Sequence, residues 1–98
     1  MGFFDTIKGI NKVNTLLKQL EPKLDYIAGE IQYPYSANKA KLQVECSSVS
    51  VLMVEIMDII EKSPSAVYLT HYYLRGRKLS IMEIASIAAS LIEQAERL

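Results

Sequence analysis

Ninety-eight residues with one cysteine, one histidine, eleven basic and eleven acidic side chains set the limits on this chain. That length holds a single domain, residues 1–98, with one modest core. Zero net charge argues against nucleic-acid binding, which calls for a basic excess; one cysteine excludes an internal disulfide, and one histidine leaves a protein metal site short of ligands.

The first third of the chain carries a regular apolar stripe. Ile10, Val13, Leu17, Leu20, Leu24, Ile27 and Ile31 are separated by 3, 4, 3, 4, 3 and 4 positions. This spacing predicts a helix over Phe3–Gln32 whose one face must lie against other helices. Pro22 falls opposite the stripe, so it either kinks the helix or restarts it with Glu21 just ahead, and both keep Leu20 and Leu24 facing inward. Gly9, Asn11, Asn14 and Gly29 are weak helix formers, so packing must stabilise this segment more than propensity does. At its start, Phe3, Phe4 and Ile7 stand beside Lys8 and Lys12. They suit the end of a core or an oligomer contact, with a membrane surface as the second reading. The lysines follow the phenylalanines and no long apolar run comes after them, which is not the layout of a signal peptide.

Tyr33-Pro34-Tyr35-Ser36 is the first connection, because Pro34 pushes Tyr33 toward an extended backbone. Ser36 or Asn38 can cap a second helix running to Lys62. Its stripe is Leu42, Cys46, Val49, Met53, Ile56 and Ile60, and between Val49 and Ile60 only Ser50, Glu55 and Asp58 are polar. Cys46 on this stripe reads as a small hydrophobe, and an unpaired thiol fits a reducing, cytoplasmic compartment. Ser63-Pro64 predicts a stop and restart, with Ser63 as N-cap and Pro64 at the first position of a short third helix. That helix is expected to end near Arg75, with Gly76 just beyond it. Tyr68 and Tyr72, four residues apart on one face of it, suit an aromatic layer or an interface patch. Arg75, Arg77 and Lys78 complement the helix dipole or, less favoured, contact an anion. Ser80-Ile81-Met82-Glu83 is a capping box that opens the last helix. Ile84, Ala88, Leu91, Ala95 and Leu98 form its stripe. Its first turn has no side chain suited to reading a base edge, so a helix-turn-helix is not expected.

The three stripes and short connections together predict an all-α fold: an up-down antiparallel four-helix bundle with a kinked long first helix and a short third helix, completed by oligomerisation. No apolar run reaches the 18 or more residues of a membrane span. The runs Val49–Ile60 and Ile81–Ile92 hold more apolar surface than one small bundle hides. The expected function is therefore a non-enzymatic helical interaction protein. It would self-associate, as a dimer first of all, and bind a protein partner. The candidate interface residues are Leu52, Met53, Ile56, Met57, Ile60, Ile84, Ala88, Leu91, Tyr68 and Tyr72. No catalytic, metal-binding or cofactor-binding residue is nominated: His71 has no ligand partners at suitable spacing, and the carboxylates spread as solvated helix faces. In size and helix count alone the chain resembles the small helical-bundle immunity proteins of bacteriocin producers. That analogy implies a membrane-proximal protector or regulator as the alternative. Anion or nucleic-acid binding through Arg75, Arg77 and Lys78 ranks third.

Overall fold

The computed structural model describes residues 2–36 and 38–98, and these are mostly helical. Helix α1 spans Phe3–Gln32, α2 Lys39–Glu61, α3 Ser65–Leu69 and α4 Ile81–Glu96. A 3₁₀ turn at Pro34–Ser36 links α1 to α2, and a hairpin of β1 (Tyr72–Leu74) and β2 (Arg77–Leu79) lies between α3 and α4. The long helices α1, α2 and α4 each pack against the other two, and the molecule is a rod 50 Å long and 22 by 17 Å across. Lys23 Nζ of α1 lies 3.3 Å from Glu45 Oε2 of α2, and Gly9, earlier in α1, lies against Ser63, just past the end of α2, so the two helices run in opposite directions.

The core follows the heptad stripes. Val13, Leu17, Leu20, Leu24 and Ile27 of α1 meet Leu42, Val49, Leu52, Ile56 and Ile60 of α2 and Ile84, Ala88 and Ala95 of α4. Ile10, Ile31, Cys46, Met53 and Leu91, also on the stripes, are half-buried at its margin. Helix α1 runs unbroken through Pro22, which is exposed. Proline has no N–H to donate to the Lys18 carbonyl one turn earlier, and both residues lie on the exposed side of the helix. At the start of α2, Asn38 is the cap: its Oδ1 accepts from the Lys41 backbone N–H at 3.1 Å. The side chain of Ser36, the other cap candidate, lies outside the described residues.

Two expectations about the middle of the chain are corrected. Pro64, not Ser63, occupies the N-cap of α3, and the Ser63 hydroxyl turns back to donate to the Ile59 carbonyl. More consequentially, the third helix does not reach Arg75. It stops after one turn at Leu69, and the next residues form the hairpin, in register Tyr72↔Leu79, Tyr73↔Lys78 and Leu74↔Arg77. Arg75 and Gly76 have φ values of 55° and 75°. Positive φ at both central residues is the geometry of a type I′ two-residue turn, whose twist matches that of paired strands. The strand periodicity then takes over: Tyr72, Leu74 and Leu79 turn inward while Tyr73 and Lys78 face out. A left-handed conformation costs a non-glycine residue about 1–2 kcal/mol. At Arg75 that cost is offset by two contacts with α1. Its backbone N–H donates to Glu21 Oε1 at 2.9 Å, and its Nε lies 2.7 Å from Asp25 Oδ1.

The expected capping box at Ser80 is present. Ser80 Oγ accepts from the Glu83 N–H at 3.2 Å, and Glu83 Oε1 accepts from the Ser80 N–H at 3.1 Å. The hydrogen bond from the Ser80 backbone, then that from its hydroxyl, hold the Glu83 carboxyl below the ordinary glutamate value, with His71 and Arg77 adding smaller attraction. A depressed folded-state pKa contributes stability above the unfolded value and loses it as the pH falls through the folded value. Glu83→Gln is therefore expected to be less stable than wild type at neutral pH. The gap should close as urea denaturation is repeated below the ordinary carboxylate value of 4.5. A gap that stays constant down to pH 3 would rule out the charge as its source.

Candidate interaction surface

Six of the ten expected interface residues are spent on the chain's own core. Leu52, Ile56, Ile60, Ile84, Ala88 and Tyr72 are all buried within one copy. Inward placement follows from the stripes themselves, because α1, α2 and α4 close on one another through them. Met53 and Leu91 are half-buried against the core, while Met57 and Tyr68 remain exposed.

Open apolar side chains are scattered over the molecule, at Phe3, Phe4, Tyr33, Tyr35, Leu69, Tyr73 and Met82 among others, but along α2 they fall in a row. Val44, Val51 and Val54 are 62%, 57% and 70% exposed. With Ala40, Ser47 and Asp58 they follow one another by 4, 3, 4, 3 and 4 positions along the helix. That is a second seam, with the beat of the buried one but on the opposite side. Valine at an exposed helical position costs about half a kcal/mol against alanine, through lost side-chain freedom. More than half of each of these three side chains is left open to water. A helix apolar on two opposite faces is normally covered on both. The signal was legible in the sequence; it lay in the same run of residues as the core stripe and was hidden by it.

Beside this seam runs an open groove between α2 and α4. Met53, Val54 and Met57 form one wall, Ala85, Ala88, Ala89 and Ile92 the other, with Asp58 and Glu61 at the rim. Its volume is about 530 Å³. The alanines keep the α4 wall low, and the methionines can repack against an incoming side chain. At the other end of the same interhelical crevice, Cys46 lines a second hollow with Leu42, Ile92 and Ala95. Burial, then the nearby carboxylates of Glu96 and Glu45, push its thiol pKa up. The thiol is thus kept protonated, the opposite of what a nucleophilic cysteine needs.

The cationic residues at the hairpin do not form an open cluster. Arg75 is paired with Asp25, and Arg77 lies close enough to Glu83 to help depress its carboxyl. Lys78 projects from the outer face of the hairpin, across from Tyr73. At the far end of the rod Phe3 and Phe4 are 75% and 80% exposed and pack edge to face on each other. Among the described residues no three histidine, cysteine or acidic side chains are grouped so as to hold a metal ion, and no helix is long and apolar enough to cross a membrane. No protein-family model, curated protein or solved structure matches the chain at a significant level.

Proposed function

We propose that this chain is a non-enzymatic interaction protein that self-associates through the outward faces of α2 and α4 and offers the completed assembly to a protein partner. The observation that carries this reading is the second apolar seam of α2. A chain with a satisfied core has no use for three valines in water on a helix, where each lowers helix stability. Self-association buries them. Zero formal charge removes the repulsion that would keep copies apart.

Size-exclusion chromatography with light scattering tests this reading. At high micromolar concentration the mass is expected at twice the 11.0 kDa of one chain or more; a monomer under those conditions removes the proposal. A second reading, contact with a membrane surface, is favoured by Phe3 and Phe4, which project into solvent a turn ahead of Lys8 and Lys12. Flotation with anionic vesicles separates the two. Co-flotation that is lost in a Phe3→Ser, Phe4→Ser double variant supports the membrane reading, and failure of the wild-type chain to float ends it.

A further inference from the structure

We infer that the second copy docks α2 against α2 antiparallel, about a two-fold axis that passes between Ser47 and Val51. This rests on the self-association proposed above and specifies its geometry. Helix α2 has 23 residues and so offers a seam about 35 Å long. Along it Ala40, Val44, Ser47, Val51 and Val54 form an apolar or small-residue strip that ends in Asp58. An isologous pair presents the same patch from both copies. In the antiparallel arrangement Val44 of one copy meets Val54 of the second, and Ser47 meets Val51, so every seam valine finds an apolar or small neighbour.

Charge decides between the two directions. The N-terminal part of α2 carries exposed Lys39 and Lys41 on either flank of the seam, and the C-terminal part carries exposed Glu55, Asp58 and Glu61. Among the described residues no ion pair occupies Lys39, Glu55 or Glu61. Lys41 lies over the Tyr26 ring, with its Nζ 4.6 Å from the ring centre, so it makes a cation–π contact and no ion pair. About the stated axis, Lys39 falls beside Glu61 of the second copy on the α4 side of the seam. On the α1 side, Lys41 falls beside Glu55 of the second copy. The two-fold repeats both pairs, giving four opposite-charge contacts around the apolar strip. A parallel pair would set lysine against lysine and Asp58 against Asp58, and would align the two helix dipoles. The seam and both flanks therefore select one orientation and one register.

Sedimentation equilibrium on the full chain and three variants tests this, with thermal unfolding monitored to show that each is folded. All the substituted residues are exposed. Val51→Glu is expected to weaken dimerisation at least about tenfold, because each copy would bring a carboxylate into the strip. The double variants Lys39→Glu/Lys41→Glu and Glu55→Lys/Glu61→Lys are each expected to weaken self-association about tenfold, since every flanking pair becomes repulsive. Mixing these two double variants one to one should restore a heterodimer close to wild-type affinity. A monomeric wild type would overturn both this inference and the function it rests on. A wild-type dimer that survives Val51→Glu would overturn the inference alone, placing the contact elsewhere on the chain. Loss of the dimer in Val51→Glu with undiminished self-association of both charge variants would overturn the antiparallel orientation.

Discussion

Replacing Tyr72 by alanine is expected to lower the unfolding free energy by about 3–5 kcal/mol, against about 1 kcal/mol for replacement by phenylalanine. Tyr72 is the largest side chain fully enclosed by the fold, at 2% exposure. Its ring is enclosed beneath the hairpin, on the strand position paired with Leu79, and its hydroxyl donates to the Val67 carbonyl of α3 at 2.8 Å. Alanine empties that space and leaves the carbonyl at the end of α3 without its donor. Phenylalanine keeps the packing and removes only the hydrogen bond. Native domains have about 5–15 kcal/mol of stability in all, so the alanine variant should be partly unfolded at 37 °C. For a domain near this size the phenylalanine variant should melt about 4–8 °C below wild type. Equal losses in the two variants, read by urea denaturation, would show that the ring is not packed as described.

Two glycines on one helix should respond in opposite directions. A Cβ at Gly9 would lie 2.8 Å from Val67 Cγ2 and 2.9 Å from Ser63 Oγ. Val67 is completely buried and branched at its β carbon, so its methyl has no alternative position to take. The serine hydroxyl could move only by giving up its bond to the Ile59 carbonyl. Gly9→Val is expected to cost about 2–3 kcal/mol, because overpacking outweighs the helix propensity gained. Gly29 sits in the same helix with nothing within 4 Å of a would-be Cβ. Gly29→Ala should therefore stabilise the protein by about 0.5–1 kcal/mol. A stabilised Gly9→Val would mean that α3 does not approach α1 as closely as the structure places it.

Gly9 shows where sequence reading reaches its limit. From the sequence alone it is a poor residue in a helix. Its role as the point where α1 lets α3 in depends on Val67, 58 positions further along the chain. The helices α1 and α2 were legible nearly to the residue, because long heptad stripes leave only one arrangement that hides them. The capping box at Ser80 was legible too, since all its partners are local. The hairpin was not. Tyr68 and Tyr72 at helical spacing and Gly76 in a helix-terminating position resemble the end of a helix, and a glycine in the left-handed region serves an I′ turn equally well. What favours the turn is support from α1, where Glu21 and Asp25 hold Arg75 in its left-handed conformation. No local pattern contains that information.

The interaction surface divides in the same way. The sequence shows that α2 and α4 carry long apolar runs. It cannot show which of those side chains the chain itself covers. Leu52, Ile56 and Ile84 vanish into the core, while Val44, Val51 and Val54 stay outside it. Periodicity along a helix is a property of the sequence, and it alone determined that this chain forms long rods with apolar faces. Which face meets a neighbour in the same chain, and which is left open, was decided by the tertiary structure. Burial depends on residues far apart in sequence arriving at the same place, and only the packed helices settle that.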